Sequence, residues 1–418
     1  MRTDAASARL ARTRWHYGYL VLGVCVLVVT GALGFGRFAY ALILPSMQQG
    51  LGLTYAQMGF LASGNFVGYL TAALACGLLA TRFGPRLVMF LGLLLVGGAM
   101  LLTGLAPSFG AALAARTLTG IGSAGGNVSA MSLVSPWFAR PRRGLASGLL
   151  VAGSGIGLLI AGQVVPRLVE AGGAGGWRNS WHVLGLAVVG VAVLAGLVVR
   201  NSPRERGLAP LWAGLETPPS SPGHSESASG GLGAVWRLGA IWHLGLVFAA
   251  FGFSYIIYAT FFAAHLLKAD FPASRVGDLW GLVGLLSLGS GVLWGSVSDR
   301  VGRREALAVV FAVQGVSFVL FAVGGSPWAY AASAALYGVA GWSVPAIMAA
   351  AVGDYVADRH VPAAMGLIVL IFGLGQAVGP SVAGAIADAT GTFALAFVLA
   401  ALVDGLGAAS SLLLRRPP

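Results

Sequence analysis

The 418-residue chain is 57% hydrophobic and only 9% charged, whereas a soluble globular domain carries roughly a quarter charged residues. No water-facing surface can be assembled from it, so its outer surface must meet lipid. Its net charge of +12 would suggest nucleic acid in a soluble domain, but the basic residues fall in short clusters between apolar runs, which excludes that partner.

A bilayer core takes ~20 mostly apolar residues per helix. Arg2, Arg9, Arg12 and Arg14 precede the first apolar run, 17–44. That run is too long for the apolar part of a signal peptide and reads as a membrane helix. Eleven more runs follow at 56–80, 86–105, 109–135, 144–168, 180–199, 239–266, 275–297, 305–324, 328–352, 362–387 and 391–413. An exposed strand edge would leave backbone groups unpaired in lipid, so all twelve are predicted helices. Cys25 and Cys76 lie inside runs at no disulfide or metal-ligand spacing and read as packing residues.

Orientation follows from lysine and arginine. The tails and the connections after runs 2, 4, 6, 8 and 10 hold 19 of them; the opposite connections hold only Arg167, Arg178, Lys268 and Arg275. Both termini are therefore expected in the cytoplasm. The stretch Thr217–Gly231 is rich in Pro, Ser and Gly and reads as a flexible linker. The expected organisation is an N-tail 1–16, a six-helix bundle 17–200, a cytoplasmic linker 201–237, a second six-helix bundle 238–414 and a C-tail 415–418.

The two bundles are repeats at a constant offset of 218 residues. Gly34, Phe35 and Tyr40 meet Gly252, Phe253 and Tyr258, Gly120 meets Gly338, and Ala146, Gly148, Leu149, Val151, Gly155 and Gly157 meet Ala364, Gly366, Leu367, Val369, Gly373 and Gly375. An even number of helices per repeat keeps their topology the same, so the pseudo-two-fold axis runs along the membrane normal.

The same offset pairs two short loops. Gly77, Thr81, Arg82, Gly84 and Arg86 meet Gly295, Asp299, Arg300, Gly302 and Arg304, with Arg303 beside them. These loops resemble the signature G-x-x-x-D-R-x-G-R-R of the major facilitator superfamily, in both expected places, with Thr81 standing where the first copy usually has an acid. The resemblance implies that the glycine lets neighbouring helices approach, that the acid caps the facing helix, and that the arginines anchor the cytoplasmic end. Arg116-x-x-x-Gly120-x-Gly122 resembles the superfamily's second motif. Glycine ridges at Gly148, Gly153, Gly155 and Gly157 and at Gly373, Gly375 and Gly379-Pro380 are expected to pack the halves together. Gly36-Arg37-Phe38-Ala39-Tyr40, Asn65-x-x-Gly68-Tyr69-Leu70 and Tyr255-Ile-Ile-Tyr258 look like the YbfB/YjiJ branch. Trp137-Phe138 through Gly148 and Asn201-Ser-Pro203 through Gly207-Leu208 look like the monocarboxylate and oxalate–formate branch. The arginine which that branch carries within helix 8 is absent; only Arg275 stands at the outer end of that run.

Gly120-Ile-Gly122-Ser-Ala-Gly125 fits a dinucleotide fingerprint literally, but no strand precedes it, so it is set aside. A charge inside a membrane is costly unless paired or used. Arg37 and Arg116 are the two arginines deep within runs, and no Asp or Glu occurs between residues 5 and 169. The one acid deep in a run is Asp404, in the helix the superfamily places at the periphery. The resemblance puts helices 1, 4, 7 and 10 around the cavity, where an unpaired cation favours an anion. Arg116 as a structural tie to helix 1 is the competing reading. Tyr255 and Tyr258 fall with Phe262 and His265 on one predicted helix face. The candidate substrate set is Arg37, Tyr40, Arg116, Tyr255, Tyr258 and Trp342.

The sequence thus reads as an all-α membrane protein of the superfamily fold. It would be a secondary transporter working by alternating access, and not an enzyme, with no catalytic residue, cofactor or metal. The expected substrate is a small organic anion such as a carboxylate, with proton coupling open; the alternative is an exporter of drugs or neutral metabolites. The expected setting is a bacterial inner membrane, crossed as a monomer, with the lipid bilayer as the other partner and no nucleic acid.

Overall fold

The computed structural model describes residues 16–139, 142–213, 238–357 and 360–415. The expected tails, the linker from 214 and the Thr217–Gly231 stretch lie outside the described residues. Among those described, ten helices are long and apolar enough to cross a membrane. Nine are single spans; the tenth, Arg143–Val198, turns at Gly173–Gly175 and holds two. Phe109–Ser132, polar enough through Arg116 and its serines to miss that criterion, makes the twelfth.

The spans are α1 Tyr17–Leu51, α2 Tyr55–Phe83, α3 Pro85–Leu105, α4 Phe109–Ser132, α5 Arg143–Gly172 and α6 Gly176–Val198. The second half has α7 Gly239–Lys268, α8 Ala273–Val301, α9 Arg303–Val323, α10 Pro327–Tyr355, α11 Val361–Thr390 and α12 Ala394–Leu412. The 218-residue offset holds to the residue at both ends of α2/α8 and α3/α9. The glycine joining each pair has the same backbone: Gly84 at φ 86 and Gly302 at φ 102, a left-handed-side conformation that only glycine adopts freely.

Two spans are irregular where they pass the centre. In α1, Thr30–Phe38 is a π-helix, with Ala39 N–H donating to Gly34 O at 2.9 Å. The wider turn shifts every later side chain from its α-helical direction, and such turns gather at functional sites. In α10 the helix stops at Ala340 and restarts at Val344, leaving Trp342 in the break.

Glycines set the closest approaches, but the two ridges expected to pack the halves together mostly pack inside their own half: Gly148 meets nothing, and only Gly155 and Gly373, the latter against Leu70 of α2, touch the other half. Gly153 and Gly157 of α5 lie on the backbone of α1, and Gly155 lies on Gly284 and Ser287 of α8 in the other half. Gly375 and Gly379 of α11 lie on α7. At the end of the molecule away from the termini the halves are in firm contact. Gly59 of α2 sits against Pro380, Gly384 of α11 against Tyr55, and Gly162 of α5 against Gly277 of α8. Asp388 of α11 accepts from the first amides of α2, Tyr55 N–H at 2.7 Å and Ala56 N–H at 2.8 Å. A carboxylate suits that position, because the helix N-terminus carries free donors and partial positive charge.

At the termini end the two signature loops do not meet a facing helix. Asp299 pairs with Arg303 at 2.5 Å, and Arg303 reaches Asp354 of its own half at 3.2 Å. Gly295 has open space beside it, and Arg300 is exposed. Arg86 donates from Nε to Gly196 O at 2.9 Å, and Arg304 from Nη1 to Leu414 O at 3.3 Å; Arg82 lies over Phe83. The anchoring role follows the expectation. The close glycine approach and the cap on a facing helix do not: Gly77 and Gly295 have no close neighbour, and Asp299 turns back to Arg303. Residues 201–213, the first part of the expected linker, lie against this end. Leu211 N–H donates to Trp137 O at 2.8 Å, and Trp137 Nε1 to Arg200 O at 2.8 Å.

Candidate functional site

Between the halves lies a cavity of about 260 Å³, walled by α1, α2, α4, α5, α7, α10 and α11. The last residues of the π segment in α1 bring Arg37 into it. The Arg37 guanidinium lies 4.5 Å from the ring centroids of Phe66 and of Tyr69, both on α2. Rings at this range stabilise the cation. Nε donates to Asn65 Oδ1 at 3.3 Å, while Nη2 is buried without a hydrogen-bond partner. A buried donor left unpaired is costly, and no acid among the described residues forms an ion pair with Arg37.

Tyr255 lines the same cavity from α7. Its hydroxyl accepts from Gln376 Nε2 of α11, its ring stacks on Phe251 at 4.6 Å, and its carbonyl accepts from Tyr337 Oη at 2.9 Å. Trp342, in the break of α10, closes another side and meets Phe38 edge-on at 5.7 Å. Asn127 of α4 completes the polar set, its Nδ2 donating to Tyr69 Oη at 2.8 Å.

The other three candidates lie behind the cavity. Arg116 is 1% exposed; its Nη1 donates to Gly36 O at 2.6 Å, and Tyr40 and Trp181 flank its guanidinium at 4.6 and 5.0 Å. With Arg37 and Tyr40 it lines a space of about 10 Å³, at the lower limit for one water. Tyr40 Oη donates to Met58 O at 2.8 Å. Tyr258 bonds Ser333 Oγ at 2.9 Å, among Phe318, Phe321 and Tyr337. The single aromatic face expected on α7 is therefore divided: Tyr255 faces the cavity, Tyr258 faces α10, and His265 bonds Phe321 O at 2.9 Å. Adjacent helix positions point up to 100° apart, and α7 is buried nearly all round, so periodicity alone could not separate the cavity face from the bundle core.

Sequence reading left out Gln376, Asn127 and Tyr69 as site residues. The signal available for Gln376 and Asn127 was an amide inside an apolar run, which needs partners in lipid.

The family model for the uncharacterised MFS-type transporter YbfB matches residues 29–412. The chain belongs to this family, within the major facilitator superfamily. Among curated relatives it is 26% identical to a probable sulfoacetate transporter of Cupriavidus necator, over 94% of this chain and 93% of that one. It is also 26% identical to the hexuronate transporter of Bacillus subtilis, over 87% of each, and 24% identical to the oxalate:formate antiporter of Oxalobacter formigenes, over 75% and 70%. A bacterial homologue of the human lysosomal transporter Spinster, solved inward-facing and unoccupied, superposes with a TM-score of 0.79 at 17% identity over 96% and 97% of the two chains. The superfamily fold and a membrane-transport role follow; the chain is not an enzyme.

Proposed function

We propose that this transporter carries a small organic anion by alternating access, with Arg37 as the anion-binding residue. The observation that carries this is the buried, unpaired Nη2 of Arg37 at the edge of a central cavity. A guanidinium edge presents two parallel N–H donors that match a carboxylate or sulfonate. Tyr255, Gln376 and Asn127 supply neutral hydrogen bonds to the rest of the substrate, and Trp342 packs against it. Tyr40, Arg116 and Tyr258 hold the helices that carry these groups. The named substrates of the relatives, sulfoacetate, hexuronate and oxalate or formate, are organic acids, which supports the reading. The aromatic wall of Phe38, Phe66, Phe251 and Phe372 favours the runner-up, a carrier of neutral lipophilic compounds.

The two bundles, 17–200 and 238–414, would rock about this cavity, with residues 201–237 joining them and a single chain as the working unit. The arginine asymmetry puts both termini in the cytoplasm of a bacterial inner membrane. The described conformation, shut at the far end, would then face inward. Single cysteines at Ser220 and Arg303, in a chain lacking Cys25 and Cys76, should resist impermeant thiol reagents added outside intact cells; labelling would reverse the orientation. Counterflow by the purified protein in liposomes, over a panel of sulfoacetate, oxalate, hexuronate and 4-hydroxybenzoate, tests the substrate class. Exchange of none of them, with exchange of a neutral aromatic, would replace the anion by the runner-up.

A further inference from the structure

The second half buries a charge-bearing group that the cavity does not use. Asp404 lies ten residues into α12 and is 0% exposed. Its Oδ1 stands 2.5 Å from Ser254 Oγ of α7, and its Oδ2 has no hydrogen-bond partner. Ser254 Oγ is also 3.2 Å from Phe251 O. A hydroxyl owns one hydrogen and cannot satisfy both oxygens fully. Placing a proton on Asp404 Oδ1 resolves the conflict: the carboxyl donates to Ser254 Oγ, and the serine hydrogen goes to Phe251 O. An ionised carboxylate would instead sit in hydrocarbon with one shared hydrogen bond, which is strongly unfavourable.

The surroundings offer no countercharge. From α9, Asp404 faces the backbone at Gly315, and the charged residues of that helix, Arg303, Arg304 and Glu305, lie at its first turn. From α7 come Ser254, Tyr258 and His265, the last two against Phe397, and His243, whose Nε2 is 2.9 Å from Ser410 Oγ near the termini end. Tyr337, a titratable group of α10, gives its hydroxyl hydrogen to Tyr255 O. The one charged residue of α11, Asp388, is engaged with α2.

We propose that Asp404 is the proton-binding site of this carrier, coupling one proton to each singly charged anion. The idea rests on the assignment of Arg37 to the anion and follows from charge balance. The loaded carrier holds Arg37⁺, the anion and a neutral Asp404. Once the anion leaves, Arg37⁺ is the uncompensated charge of the buried core; ionising Asp404 then balances it, which offsets the cost of a carboxylate that has no contacting cation, and the core keeps the same total charge in both crossings. An unbalanced extra charge would make either crossing costly. The mechanical link is short: Ser254 precedes Tyr255, which lines the anion cavity, and Tyr337 bonds the carbonyl of Tyr255. A shift of α7 at the cavity therefore moves the partner of Asp404. The proton joins Oδ1 from the side on which the anion binds and leaves from the same oxygen on the other side.

Two measurements on the full chain in liposomes test this. The first uses no substrate: infrared spectra of the protein from acid to alkaline pH. Wild type should show a protonated-carboxyl C=O band at neutral pH that disappears at alkaline pH, is missing in Asp404→Asn and shifts in frequency in Ser254→Ala. The second uses a singly charged anion of the panel, hexuronate or 4-hydroxybenzoate. Asp404→Asn should keep counterflow, which needs no net proton movement, and lose accumulation driven by a pH gradient. Asp404→Glu should retain partial accumulation; it also serves if Asp404→Asn does not fold. A band that never titrates, or gradient-driven uptake by Asp404→Asn equal to wild type, overturns the proposal. Failure of every anion to exchange would remove the Arg37 reading, while the infrared result would still decide whether Asp404 binds the proton.

Discussion

The N-terminal half carries Arg37 and Arg116 in mid-membrane, and the C-terminal half carries Asp404 and, among the described residues, no mid-membrane lysine or arginine. The repeat sets Tyr255 opposite Arg37, Ala334 opposite Arg116 and Leu186 opposite Asp404. The two halves thus keep one backbone plan, down to the positive-φ glycines at 84 and 302, and differ in their buried polar chemistry. Helix-on-helix packing depends on small residues at fixed positions, so the glycines recur. A binding site at the centre has only one occupant to recognise, so its residues need not recur. The same contrast separates the two arginines. Each keeps one buried N–H without a partner, but Arg116 is tied to Gly36 O and enclosed by rings, whereas Arg37 is only half-buried and lines the cavity.

The sharpest way to break that contrast is to remove each arginine in turn. Arg37→Ala should abolish anion transport with the fold kept, since nothing else in the cavity carries a positive charge. Arg37→Lys should weaken substrate affinity by about 1.5–3 kcal/mol, the range for hydrogen bonds to charged groups, because an ammonium offers a point charge in place of a fork. Substrate-induced thermal shifts measure this, and an unchanged affinity would make Arg37 structural as well.

Arg116→Met should behave in the opposite sense. It leaves Gly36 O unsatisfied and a gap between Tyr40 and Trp181, so thermal stability should fall by about 1–3 kcal/mol, while the folded fraction binds anion normally. Lost affinity with intact stability would bring Arg116 into the site.

Asp388→Asn probes the closed far end. It removes the carboxylate that caps α2 and should cost about 0.5–2 kcal/mol of that closure, as for other helix caps. A single cysteine at Ser63, beside Ser381 across the contact at 2.8 Å between hydroxyls, should then react faster with impermeant thiol reagent added at that end. An unchanged rate would mean that the glycine contacts hold this end alone.

The smallest effect separates two tyrosines of α7. Tyr255→Phe should lower anion affinity by about 1 kcal/mol, one neutral hydrogen bond, and hardly touch stability. Tyr258→Phe, behind the cavity, should do the reverse; equal effects on affinity would put both rings on the cavity face.

Much of the architecture was legible in the residues themselves. Charge-poor apolar runs can only be membrane helices, because lipid supplies no partner for a backbone group. The 218-residue offset announced the repeat before any helix was seen. Arg37, Tyr255 and Trp342 could be nominated because a charge or a polar ring in lipid needs a reason. What the residues alone did not fix was direction. The π turn at Thr30–Phe38 rotates Arg37 relative to an α-helical count, and the break at Gly341–Ser343 frees Trp342 from helical spacing. Tyr40, Arg116 and Tyr258 were equally polar and equally placed by period, yet packing turned them away from the cavity. Gln376 and Asn127 came to it only when helices from opposite halves met, and Asp404 found Ser254 150 residues away. Local sequence determines which segments enter lipid because that choice depends on each segment's own transfer free energy. Which side chains face one another depends on contacts between segments far apart in the chain, and only the folded packing decides those.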